Sequence, residues 1–277
     1  MSRISDTFSR ASASKKKVLV AYLCVGDPSE SESVDLARAC IAAGADILEL
    51  GCPFSDPTAD GPAIARASQR AIRHGGGLEA TLRAARAIRS TSDAPLVLFG
   101  YYNPLFVHGE AQAAEAAAEA GVDALLIVDL PLEEGGLLRA RAAELGVAIV
   151  PLIAPTSAPQ RGEQIGSLGT RAGFVYYVSV AGVTGTPTAP LAEASAQAGK
   201  IRATTRLPVV VGFGIDSPAK AREAAVHADG VVVGTAIVRE IEAGSTPADR
   251  LDRVTTLVRT LRSALDIPGA DSRAQNS

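Results

Sequence analysis

The sequence carries no excess of positive charge: 27 Lys and Arg against 30 Asp and Glu leave a net charge of −3. Nothing in that balance points to a nucleic-acid partner. The one basic cluster, Lys15–Lys17, is too short to act as a binding tract and reads as a solvated strand entry. Cysteine is scarce too. Cys24, Cys40 and Cys52 are odd in number and lack metal-ligand spacing, so a metal site is not indicated and a reduced, cytoplasmic setting fits best. Long apolar runs are missing: "VLVAYLCV" is too short to span a bilayer and ends in a turn, so neither a membrane span nor an N-terminal signal is expected.

What the chain does have is size and apolar content. At 277 residues, 47% hydrophobic and 21% charged, it has enough material for one substantial core. Short β-branched runs, "VLVAYL", "DILEL", "PLVLFGY", "ALLIV", "AIVPLI", "FVYYVSV", "PVVVGF" and "GVVVG", alternate with Ala-rich stretches whose apolar residues recur every three or four positions. The runs are nearly continuous in apolar residues, as expected where helices cover a parallel sheet and side chains fill its other face. "AGAD", "AGVD" and "HADG" mark helix ends dropping into the next strand, with Gly44, Gly121 and Gly146 as the residues just past the helices. Eight strand–helix units without a compositional break predict an α/β fold of the (β/α)8 TIM-barrel class. The barrel is expected as a single domain over residues 1–265, with a short extra helix after strand eight and a frayed tail at 266–277. A doubly wound sheet is the alternative; the strand count and the glycine-rich ends of the last two strands favour the barrel.

In such a barrel, functional groups lie at the C-terminal ends of strands and in the loops that follow. The stretch "ADILELGCPFSDPTADGPAI", Ala45–Ile64, is the loop after strand two together with its flanks. Glu49 sits in an inward-packed apolar run, where desolvation raises a carboxyl pKa and suits it to proton transfer near neutral pH. Asp60 closes a loop stiffened by Pro53 and Pro57, which can return its carboxylate over the same cavity. Because Gly61-Pro62 then begins a helix, Asp60 also suits a plain N-terminal capping role.

"VVVGFGI" and "GVVVGTAIV" end the last two strands in glycine, at the place where barrels commonly hold phosphate. Gly212, Gly214 and Gly234 allow backbone N–H groups to approach an anion, and Thr235 adds a hydroxyl and caps the short helix Ala236–Ile241. Tight strand–helix turns alone would also explain these glycines. The small-residue segment "SVAGVTGTPTAP" after strand six is a candidate lid hinged at Gly182 and Gly185. A phosphorylated small molecule is the expected ligand. His74, His108 and His227 fall on or beside helices, and no Lys follows a strand in a place suited to a Schiff base. Metal-ligand clusters are absent as well, so neither a covalent Schiff-base aldolase nor a metal-dependent aldolase is indicated.

These residues resemble the α subunit of tryptophan synthase. "ELGCPFSDPTADGP" is similar to that family's signature, and "GDP" (Gly26–Pro28), "SQRAI", "YYNP", "DLPLEE", "GVTG", "GFGI" and "VGTAIV" follow in the family's order, covering about residues 4 to 265. The resemblance implies retro-aldol cleavage of indole-3-glycerol phosphate to indole and glyceraldehyde 3-phosphate. It assigns Glu49 as the acid/base and Asp60 as the carboxylate facing the indole N–H. It places the phosphate on Gly185, Gly214, Gly234 and Thr235, with Gly212 shaping the turn, and Phe213 at a substrate-contact position. Tyr22, Phe99, Leu126, Ile153 and Tyr176 would line the indole pocket, though ordinary barrel core explains them equally. Thr184 matches the lid threonine. The resemblance further implies a β subunit, in an α2β2 assembly, that carries pyridoxal phosphate, whereas no cofactor is expected on this chain. The loop Pro53–Asp60 and the region of Asn103-Pro104 would meet that partner, with coupling through Asp56. Cys24-Val25, Cys52, Thr235 and Val180 depart from frequent family residues, and none of them removes a catalytic group. A stand-alone lyase releasing free indole, or a catalytically weak subunit regulating a β partner, are the other readings.

Overall fold

Along the first strand, Val18, Val20 and Tyr22 face one way and Leu19, Ala21 and Leu23 the other, and all six are buried. The first set shares the barrel interior with Ile47, Val97, Ala124 and Val210; the second packs outward under the helices with Leu48, Leu98, Leu125 and Val211. Two buried faces are why the strands are apolar without alternation. In the computed structural model, which describes residues 2–155, 157, 161–178, 190–212 and 214–266, the strands are β1 (Val18–Cys24), β2 (Ile47–Gly51), β3 (Leu96–Gly100), β4 (Ala124–Ile127), β5 (Ala148–Ile149), β6 (Leu152–Ile153), β7 (Val175–Val178), β8 (Val209–Gly212) and β9 (Gly230–Val233).

Every pair is parallel, and the order is β5-β4-β3-β2-β1-β9-β8-β7-β6. The two ends of that order are separated in the chain only by Val150 and Pro151, so the sheet closes on itself. Val150 N–H donates to Leu125 at 2.9 Å on one side, and Pro151 C=O accepts from Tyr176 N–H at 3.0 Å on the other. The fifth stave, expected as one strand over "AIVPLI", is split because Pro151 has no N–H to give. Counting β5 and β6 as one stave gives the eight-stranded barrel.

Around it lie α2 (Glu30–Ala42), α3 (Pro62–Arg73), α4 (Leu78–Arg89), α5 (Tyr102–His108), α6 (Glu110–Glu119), α7 (Gly136–Glu144), α8 (Arg161–Gly166), α9 (Leu191–Thr205), α10 (Pro218–Ala225), α11 (Thr235–Ala243) and α12 (Pro247–Leu265). None of the described helices is long and apolar enough to cross a membrane. Gly44, at φ +110°, ends α2: its N–H bonds Ile41 C=O at 3.0 Å and the next N–H bonds Cys40 C=O at 2.9 Å, closing two carbonyls the helix leaves open. The aspartates after these turns have a job of their own. Asp46, Asp123 and Asp229 accept the N–H of Leu19, Leu96 and Val209 at 2.8, 2.9 and 2.9 Å, each joining the entry of one strand to a residue of its neighbour. α11 is the extra helix after the last strand. Thr235 does not cap it, as expected from sequence, but is its first residue; Gly234 holds the cap position with no side-chain bond.

Two helices were not anticipated, the short α5 after β3 and one ahead of β1. α1 (Arg3–Ala13) is capped by Ser2, whose hydroxyl accepts from Ser5 N–H at 3.2 Å. Its Ile4 and Phe8 are buried in the interior cluster at the N-terminal end of the barrel, Phe8 with its ring centroid 5.7 Å from that of Phe174. Burying a phenylalanine in this way contributes about 2 kcal/mol toward holding this short polar helix in place.

Candidate active site

Strand β2 turns Ile47, Glu49 and Gly51 toward the barrel axis, opposite Val20, Tyr22 and Cys24 of β1. Glu49 is 1% exposed, and its Oε1 has no hydrogen-bond partner among the described residues. Burial alone pushes its carboxyl up to about 8. The chain then leaves the sheet. Cys52 N–H still donates to Phe99 C=O at 2.8 Å, after which Pro53 and Pro57 carry the loop outward and tight bonds, Thr58 N–H to Asp56 C=O and Asp60 N–H to Pro57 C=O, bring it back. The returning end is pinned from β3's side: Tyr101, just past that strand, accepts Ala59 N–H on its hydroxyl at 2.9 Å. Asp60 is consequently buried enough to raise its carboxyl to about 6, an upward push that hydrogen bonding to Tyr101 partly offsets.

The two acids face one space. Burial raises the Tyr22 and Tyr176 phenols well above their usual range, and the charges of both Glu49 and Asp60 add to the effect. A cavity of about 310 Å³ opens there, with Tyr22, Glu49, Asp60, Phe99, Ile153, Tyr176, Gly214, Gly234 and Thr235 on its wall. All of these are residues the sequence singles out. Leu126 is another, but it is fully buried in the interior cluster, in register with Phe99. The next inward position on that stave, Val128, reaches the cavity in its place. Gly212 is also off the wall: the Tyr176 ring occupies the space a side chain there would fill. Asp56 is exposed on the loop, its carboxylate accepting the Ser55 hydroxyl at 2.6 Å. Thr184, Gly185 and Phe213, together with Val180, the hinge glycine Gly182 and the tail from 267 onward, lie outside the described residues.

Sequence reasoning passed over Ile64, Val128, Leu152, Ala154, Ser157, Val178, Ile215 and Val232, which also line the wall. Most are apolar positions at or just past strand ends, and nothing in their type separates them from core. It also passed over the support beneath the site. Ala63, Ala67 and Ala71 of α3 pack in one cluster with Val238 of α11, a small-residue stripe that lets the two helices approach closely. Arg70 holds the buried Asp27 through two bonds of 2.8 Å and reaches Glu242 of α11 at 2.8 Å; Arg66 grips the same glutamate at 2.8 and 2.9 Å. These bonds tie "GDP" to "SQRAI" and fix α3, which begins just after Asp60, against α11.

At the far end of the cavity stands the first turn of α11. Its leading N–H groups have no intrahelical acceptor, and the helix dipole places partial positive charge there. Beside it, Gly214 holds φ +71°, with nothing within 4 Å of where a side chain would start. No Lys, Arg or His is found among the described wall residues. Among the described residues, an anion in this cavity would therefore be held by uncharged donors, backbone N–H groups and the Thr235 hydroxyl.

A buried carboxyl raised to near-neutral pH and a second carboxylate at the C-terminal mouth of the barrel, facing a helix terminus suited to an anion, fit a (β/α)8 enzyme of acid–base chemistry. The model of the tryptophan synthase alpha chain family matches residues 8–266. The tryptophan synthase alpha chains of Geotalea daltonii and Nitrosococcus oceani are 44% and 45% identical to it, over 96% of this chain and 99% and 98% of theirs. A crystal structure of the alpha chain from Legionella pneumophila aligns with a TM-score of 0.87 at 37% identity, covering 98% of this chain and 99% of that one. Tryptophan synthase from M. tuberculosis in an aminoacrylate-bound form aligns at 0.83 with 33% identity, covering 96% and 100%. The chain belongs to the tryptophan synthase alpha chain family, and its reaction is the lyase step that cleaves indole-3-glycerol phosphate.

Proposed function

We propose that the cavity divides this cleavage between two acids that their surroundings hold in opposite states. With Asp60 titrating near 6 and Glu49 near 8, the former is ionised and the latter protonated at pH 7. Glu49 gives its proton to indole C3, which makes the ring an electron sink. Its carboxylate then takes the proton of the adjacent glycerol hydroxyl; the new carbonyl forms, the carbon–carbon bond breaks, and its electron pair returns to the ring. Asp60 accepts a hydrogen bond from the indole N–H and offsets the positive charge that develops between the two steps. The observation that carries this reading is the burial of Glu49 with an unpartnered oxygen, a costly arrangement that chemistry explains and packing does not.

The phosphate sits at Gly214, Gly234 and Thr235, with Gly185 completing the cradle and Thr184 closing the lid. Tyr22, Phe99, Ile153 and Tyr176, with Phe213, surround the indole. The family works with a β subunit; we infer an α2β2 assembly in the cytoplasm, with pyridoxal phosphate on the partner and contact through the loop Pro53–Asp60 and the region of Asn103-Pro104. Exposed Phe106 and Val107 on α5 fit such a contact, and Asp56 would couple it to Asp60. Indole release by the purified chain, measured with and without a β subunit, tests the assignment. Strong activation by the partner is expected; fast turnover alone would favour a stand-alone lyase, and no cleavage in either assay would sink the proposal.

A side chain at Gly234 should disturb the anion end selectively. A Cβ there already lies 3.3 Å from the Tyr22 ring, so valine has to grow toward the first turn of α11. Gly234→Val is expected to raise KM by about tenfold or more, chiefly through lost phosphate binding. Equal affinity for inorganic phosphate in the two proteins would rule that placement out.

A further inference from the structure

The Tyr22 ring spans the cavity from its anion end to its acid end. A Cβ at Gly234, the cap of α11, would lie 3.3 Å from Tyr22 Cβ and Cδ1, whereas a Cβ at Gly51, one pleat beyond Glu49, would collide with Tyr22 Oη and Cζ. The phenol oxygen therefore stands at the mouth end of β2, and the root of the side chain stands beside the phosphate cradle. Phe99 braces the ring edge-on, centroids 5.2 Å apart at 77°. This fixes the direction of the hydroxyl, because a tyrosine held at both ring and root has little rotamer freedom left.

Tyr22 is 4% exposed and lies on the cavity wall. The groups that act on its hydroxyl, Cys24, Asp60, Glu49 and Tyr101, do so through charge, and no described residue holds it in a hydrogen bond. Burial keeps the phenol protonated, so it remains a donor throughout the working pH range. The hydroxyl is offered to the cavity and not to a described protein partner. A phenylalanine would fill the same volume but present no donor there.

We propose that Tyr22 is a specificity-determining residue whose hydroxyl hydrogen-bonds a hydroxyl of the substrate's glycerol chain, between the indole and the phosphate. The proposal rests on the reading of the cavity given above, and it moves Tyr22 from lining the indole to reading the linker. The geometry supports it directly: a ligand with its phosphate at Gly234 and its ring beside Glu49 must run its three-carbon chain along this ring. The cavity then selects a hydroxylated linker, and the apolar wall opposite selects the aromatic group.

Tyr22→Phe separates the hydroxyl from the ring. Two ligands are needed: indole-3-glycerol phosphate, and an indolylpropyl phosphate that joins the same ring and phosphate through an unhydroxylated three-carbon chain. The variant is expected to lose about tenfold in kcat/KM for the first and to keep its Kd for the second within about twofold, since the second has no hydroxyl to lose. Retained binding of the propyl ligand also reports that the variant is folded. An unchanged kcat/KM, or equal weakening toward both ligands, would overturn the proposal by making the hydroxyl idle or merely structural. Failure of the unaltered chain to cleave the glycerol phosphate, in the presence of a β subunit, would instead overturn the underlying lyase reading.

Discussion

Glu49→Gln is expected to abolish indole release, with a loss on the order of a thousandfold or more, while affinity for a phosphate ligand stays nearly unchanged. Glutamine keeps the shape and can still donate a hydrogen bond, but it cannot deliver a proton to carbon or take one from a hydroxyl. The cradle at α11 is untouched by the substitution, so KM and inhibition by glycerol phosphate separate lost chemistry from lost binding. Unchanged turnover would remove Glu49 from the mechanism. The same variant has a stability signature. Because the folded pKa is raised, from 4.5 to about 8, ionising Glu49 works against the fold. The favourable contribution of its protonated form is complete below the unfolded value and is lost as pH rises through about 8. Glutamine cannot ionise, so its advantage in urea unfolding should be larger at pH 9 than at pH 4.

Asp60→Asn should lower turnover by about a hundredfold or more, because the amide cannot balance a positive ring. The pH profile makes the role specific. Activity in the unaltered chain should fall below about 6, as Asp60 gains a proton, and above about 8, as Glu49 loses one. In the variant the acidic limb should vanish and the alkaline limb remain. A normal rate, or an acidic limb that persists, would leave the stabilisation of the indole cation without a residue to perform it.

Much of the fold and of the cavity wall is legible in the sequence because it depends on local chemistry. Near-continuous apolar runs, turn glycines such as Gly44, and a carboxylate within "DILEL" each carry their meaning over a few residues. What escaped depends on the closed sheet. Whether Leu126 or Val128 reaches the cavity is decided by stave register, which places Leu126 level with Phe99 and beneath the opening. Whether Gly212 meets a ligand or a neighbour is decided by the Tyr176 side chain of the adjacent strand. The bond from Tyr101 to the loop before Asp60, and the grip of Arg70 on Asp27, join residues 42 and 43 positions apart, and no local pattern announces them. α1 was hidden for the opposite reason: "RISDTFSRASA" is mostly polar, and only Ile4 and Phe8 reveal a buried side.

That first helix bears on what becomes of the product. With Ile4 and Phe8 wedged beneath filled layers of side chains, the cylinder is stoppered at its base. Indole released in the cavity is small, uncharged and sparingly soluble, and the described residues leave it no way through the base, so its route lies past the rim. Whatever protein is seated on that rim stands across its route. A blind vessel of this kind makes delivery directional without any moving valve in its floor.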